Sequence, residues 1–132
     1  MNRTGWILAM VAALLGAACS NEPTSSAPRA GTLVLRLTTP NADDGAVLFK
    51  VSGPPIDTAV AVDASLRLFT ARTDRSTVVG VVVGVVDNGA VVTLQVPDVG
   101  LAGGYTAQVL EVAGRQNALR PSLAGYALTV AR

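Results

Sequence analysis

Residues Thr77 to Val86 read TVVGVVVGVV, and this run constrains the fold more than any other part of the chain. Ten residues are too few for a bilayer-spanning helix, which needs about 20. β-Branched side chains favour a strand, and an unbroken apolar strand is the pattern of one buried on both faces. Gly80 and Gly84 inside it predict a bulge or a close approach by a neighbour. Asp87-Asn88-Gly89 follows and predicts a tight hairpin, since Asn-Gly accepts the positive φ angles of a type I′ turn.

The same period of two recurs on either side. Thr32 to Thr38 places a leucine at every second position, with Thr, Arg and Thr also among the intervening residues, the mark of a half-buried strand. Ala46 to Ser52 sets Val47, Phe49 and Val51 on one side and Lys50 on the other. Gly53-Pro54-Pro55 ends it, because proline removes a ladder donor and fixes φ. Thr58–Val62, Leu66–Ala71, Ala90–Val96, Tyr105–Val112 and Tyr126–Val130 are further strands, separated by turn clusters and by a Gly-rich loop from Pro97 to Gly104. No amphipathic helix of ten residues is found after Cys19. Seven or eight short strands in residues 31–132 predict an all-β, antiparallel β-sandwich of immunoglobulin-like type, with a small β-barrel as the alternative.

The N-terminus follows a different rule. Arg3 and the α-amino group precede an apolar stretch from Trp6 to Leu15, which ends in Gly16-Ala17-Ala18 before Cys19. That is the layout of a secretory signal peptide over residues 1–18. Leu15-Gly16-Ala17-Ala18-Cys19 resembles the lipobox of bacterial lipoproteins. The resemblance implies that Cys19 is lipidated and becomes the new N-terminus. It also implies that the protein is exported and membrane-anchored in the bacterial envelope. With Ser20 next in line, the outer membrane is implied where the host has one. Gly16-Ala17-Ala18 equally suits ordinary signal-peptidase cleavage at the same bond. The lone thiol favours acylation, because a single Cys has no intramolecular partner in an oxidising compartment. Residues 19–30 then form the modified Cys and a flexible Ser/Pro-rich tether. Its eleven residues from Ser20 to Ala30 reach about 30 Å when extended.

The order of strands, with GAVLFKV, DNGAVVTLQV and GGYTAQV segments, is similar to a cohesin-type sandwich and to carbohydrate-binding modules of like fold. That resemblance implies attachment to protein or glycan outside the cell. It places no binding residue on this chain.

Composition narrows the chemistry. Of 132 residues, half are apolar and 14% are charged, for a net charge of +1, which gives no signal for nucleic acid. The chain has no His, so Ser-His-Asp and Cys-His catalysis lack their base, and zinc or copper sites lack their usual ligands. No cofactor is implied and no catalytic residue is assigned. Most aspartates fall in predicted turns, where Asp bonds its own backbone. Asn41-Ala42-Asp43-Asp44-Gly45 is the one cluster with oxygen ligands for calcium, without the closing Glu of a known loop. The chain after Cys19 keeps Phe49, Phe69, Tyr105 and Tyr126 as its aromatics. Phe49 is expected in the core, and the tyrosines as buried rings with bonded hydroxyls.

The expected role is a non-catalytic interaction or accessory module of the envelope, with a surface-attached glycan-binding module as the alternative. Its partners would be the membrane, through the lipid, and an envelope protein or polysaccharide. Ala113 to Pro121 lies in the longest predicted loop, and loops on rigid scaffolds carry function disproportionately. Arg115, Gln116, Asn117 and Arg120 are therefore the expected contact residues.

Overall fold

A computed structural model describes residues 26–132; the signal segment and Cys19 lie outside the described residues. Eight strands follow in order: β1 (Gly31–Thr38), β2 (Asp44–Ser52), β3 (Thr58–Ala61), β4 (Arg67–Asp74), β5 (Thr77–Val86), β6 (Gly89–Val96), β7 (Thr106–Gly114) and β8 (Ala127–Ala131). One short 3-10 segment, Val99–Gly104, lies in what the sequence marks as a Gly-rich loop. Two four-stranded sheets form, ordered β3-β6-β1-β8 and β4-β5-β2-β7, and every pairing is antiparallel. The fold is thus the antiparallel sandwich, with two open sheets and no closed barrel.

The core lies between the sheets. β1 sends Leu33, Leu35 and Leu37 inward, and β2 sends Val47, Phe49 and Val51, as their alternation dictates. They meet Val78, Val82 and Val86 of β5 and Val92, Leu94 and Val96 of β6. Tyr105 and Ile56 close one end, where the Tyr105 hydroxyl donates to the Pro55 carbonyl at 2.7 Å.

The Asn-Gly turn does not make a hairpin. β5 and β6 belong to opposite sheets, so Asp87-Asn88 is a crossover between layers. Asn88 has a negative φ, and its side-chain oxygen accepts from the Thr39 amide at 2.7 Å. A local propensity has yielded to a long-range partner. Among the described residues, β4–β5 is the one pair of consecutive strands that are neighbours in a sheet.

The two glycines of β5 act differently from each other. Gly84 marks a bulge, since Asp44 and Ala46 of β2 pair with Val86 and Val83. Gly80 sits opposite Phe49, and a Cβ there would lie 2.6 Å from the ring.

β5 is also buried on one face only. Its outward valines share a surface with β4, β2 and β7 in clear rows: Arg67–Val83–Ala46–Ala113, then Phe69–Val81–Leu48–Glu111, then Ala71–Val79–Lys50–Gln108. Phe69 is 62% exposed and Val83 37%. Among the described residues no second layer covers that side, so the expectation of burial on both faces is not met there.

Candidate functional site

One end of the sandwich is held by a buried carboxylate. Asp44, the first residue of β2, is fully buried, while the alternation of Val47, Phe49 and Val51 would place Gly45 inward. The register shift between Asp44 and Ala46 turns Asp44 in, as a bulge does.

Arg120, Tyr126 and Thr39 bond Asp44 directly. Arg120 donates to Asp44 Oδ1 through Nε at 3.0 Å and Nη2 at 2.8 Å, and Nη2 also reaches Asp43 Oδ1 at 2.6 Å. The Tyr126 hydroxyl lies 2.9 and 3.1 Å from the two carboxylate oxygens and accepts from Asn41 Nδ2 at 2.7 Å. The Thr39 hydroxyl donates to Asp44 Oδ2, and accepts from the Asn41 amide at 3.0 Å. Among the described residues, no buried side-chain nitrogen or oxygen lacks a partner.

Burial by itself would push the Asp44 carboxyl up. The hydrogen bonds from Thr39, Arg120 and Tyr126, with the charge of Arg120, outweigh it and hold the carboxyl below its usual range. Arg120 is pushed above its ordinary value, chiefly by its bonds to Asp44 and Asp43. The guanidinium thus takes one oxygen of each aspartate in the cluster that the sequence marks for calcium. With its lone pairs filled by Arg120, Tyr126 and Thr39, Asp44 serves to fasten chain segments together.

The segments it fastens are two loops. Thr39–Asp43 connects β1 to β2, and Arg115–Tyr126 connects β7 to β8. The Arg115 amide donates to the Asp43 carbonyl at 2.9 Å, and its guanidinium donates to the Ala42 carbonyl at 3.1 Å. Gly45 permits this approach, as a Cβ there would meet the Arg115 Cα at 3.0 Å.

The second loop also folds back on its own strand. Gly114 N bonds Ala118 O at 2.9 Å and Arg120 N bonds Val112 O at 2.8 Å, with Ala113 bridged to Leu119. The turn is made by Asn117 at φ 62°, which Asn tolerates better than most residues.

The four expected contact residues divide accordingly. Arg115, Gln116 and Asn117 are exposed at the tip. Arg120 points back into the sandwich, its side chain 21% exposed, and anchors the loop. Arg115 and Asn117 also border a shallow depression of about 220 Å³ floored by Gly45, Ala46, Val83, Gly84 and Gly114.

Sequence reasoning did not find Thr39, Asp44 and Tyr126 as one cluster. Asp44 read as a turn residue, and only the bulge reveals its direction. Comparison with known protein families, with curated proteins and with solved structures returned no match.

Proposed function

We propose that this protein is a lipid-anchored module of the bacterial envelope that contacts another envelope component through the Arg115–Asn117 tip. The observation carrying the reading is the brace beneath that tip. A loop of twelve residues from Arg115 to Tyr126 would ordinarily be mobile. Here Arg120 and Tyr126 fix it to the buried Asp44. A pre-ordered loop presents Arg115, Gln116 and Asn117 without an ordering cost on binding. These three side chains supply a cation and two amides, suited to carboxylate or carbonyl groups on a partner.

The lipobox-like Leu15–Cys19 segment and the polar tether to Ala30 support the address. An extended tether of about 30 Å holds the domain close to the membrane surface, so the reading favours a partner resident in the same envelope layer.

The test is replacement of Arg115, Gln116 and Asn117 together by alanine in the full-length protein, followed by affinity purification from cross-linked native membranes. Loss of a dominant partner, with the fold retained by circular dichroism, supports the reading. A partner set identical to that of the unmodified protein excludes the tip. Mass spectrometry of the N-terminal peptide reports in parallel whether Cys19 carries acyl chains.

A further inference from the structure

We infer that a second copy of this chain covers the outer face of the β4-β5-β2-β7 sheet, giving a two-fold dimer with the two sheets packed face to face. The inference is independent of the lipid anchor and of the loop contact.

Three observations carry it. First, β5 has the composition of a strand buried on both sides, yet Val79, Val81 and Val83 face away from the core, beside the exposed Phe69 and the half-buried Leu48. Leu119, 65% exposed, extends the same surface beyond β7 through its bridge to Ala113. Between the edge charges the first two rows form contiguous apolar surface of the kind that marks an interaction site, and Lys50 stands exposed in the third row.

Second, the extent suits a modest dimer. Four strands and the Leu119 segment span about 24 Å, and three rows of outward residues about 20 Å. Two such faces remove on the order of 1,000 Å² of surface, near the lower limit for a specific interface. An interface of that size is expected to be weak and reversible.

Third, the charges at the borders of the face are self-complementary. Arg67 sits on β4 at one edge, and Glu111 on β7 at the other, one row further along. Both are exposed. Neither forms an ion pair among the described residues, where the salt bridges are those of Arg120 with Asp43 and Asp44.

A two-fold axis lying between the sheets and running along the strands superposes β4 of one copy on β7 of the other. Each Arg67 then stands one row, about 7 Å, from the partner copy's Glu111, across a gap of about 10 Å between sheets. The two long side chains bridge that separation, and the pair occurs twice. A partner of uniform charge would leave one border unmatched.

The experiment is sedimentation equilibrium of the full-length chain in mild detergent, from about 1 to about 200 μM, a range that detects weak, reversible association. The unmodified chain is expected to show a monomer–dimer equilibrium. Phe69→Ser, Arg67→Glu and Glu111→Arg should each weaken it by about tenfold. The Arg67→Glu/Glu111→Arg double variant should recover most of the loss, which a merely structural effect does not produce. All three positions are exposed, so the thermal midpoint serves as the folding control, and the charge variants decide the matter if Phe69→Ser misfolds.

A monomer throughout the range overturns the inference. So does a dimer indifferent to all three substitutions, or charge variants whose effects simply add. Saturable binding of an envelope polysaccharide to a monomer, abolished by Phe69→Ser, would assign the face to a glycan and equally overturn the second copy.

Discussion

Arg120 and Asp44 are separated by 76 positions in sequence, yet Nη2 of one lies 2.8 Å from Oδ1 of the other. Their pairing fixes the β7–β8 connection to the start of β2 and thereby sets the posture of the proposed contact tip. The carboxylate is fully enclosed while the guanidinium keeps some contact with water and with Asp43. Such a pair costs most when only one member is removed, because the other is left without its counter-charge.

Asp44→Ala should therefore destabilise the domain by about 3 kcal/mol, the lower end for a buried pair because Arg120 remains partly solvated. The loss is measurable by chemical denaturation. Hydrogen exchange should localise it, with the Arg115 and Arg120 amides losing protection ahead of those in β1 and β5. Uniform loss across the sheets would show that Asp44 supports the whole sandwich and not the loop in particular.

Stability should fall at acid pH for the same reason. The Asp44 carboxyl is held below its ordinary value of 3.8 in the folded chain, so the unfolded chain binds the proton more tightly. The contribution is complete above about pH 5 and declines as pH drops through 3.8 towards the lower folded value. Asp44→Asn should flatten that acid limb. A weaker slope will persist, because Asp63 is also held low, first by the Ser65 side chain and then by the Ser65 amide. An unchanged acid limb in Asp44→Asn would contradict the assignment.

The two glycines of β5 offer a packing test. Gly80→Ala places a methyl 2.6 Å from the Phe49 ring, which is 1% exposed and has nowhere to move. Overpacking of this kind costs about 1–3 kcal/mol. Gly84→Ala adds backbone strain, since its φ is 145° and the new methyl meets the Ser65 carbonyl oxygen at 2.7 Å. The thermal midpoint should fall in both, and further for Gly84→Ala. Equal or negligible shifts would mean that the bulge relaxes freely.

Tyrosine titration addresses the other end of the core. Burial first, then the charges of Asp57 and Asp98, push the Tyr105 phenol above its ordinary value of 10.0. The stability this gives is intact below pH 10 and is lost as pH rises through the higher folded value. In a Tyr126→Phe variant, ultraviolet absorbance reports Tyr105 alone. Its midpoint should lie above that of the unfolded chain, and a coincident midpoint would place the ring in water.

Much of the sandwich was legible because strand burial has a period of two. Leu33, Leu35 and Leu37, and Val47, Phe49 and Val51, fall inward as written. What escaped was whatever depends on distant neighbours. Asp87-Asn88-Gly89 carries the local signature of a hairpin, but Thr39 captures Asn88, and the chain crosses to the other sheet. The valines of β5 spell double burial, and one of their faces looks outward in the single chain. Asp44 looked like a turn residue because the bulge that turns it inward leaves no trace in the alternation. Of the proposed contact residues, Arg115, Gln116 and Asn117 stand at the tip, whereas the role of Arg120 as anchor required knowing where Asp44 points.

The measurement that bears most directly on the account is site-specific photo-cross-linking in the native host. A photoreactive residue is placed at Gln116 in the full-length protein and, for comparison, at the exposed Thr32 on the opposite sheet. The adducts and the N-terminal peptide are then read by mass spectrometry. An acylated Cys19 terminus is expected, with one dominant envelope adduct from Gln116 that is absent from Thr32. An unprocessed Met1 terminus, or adducts that are the same from both positions, would contradict the account.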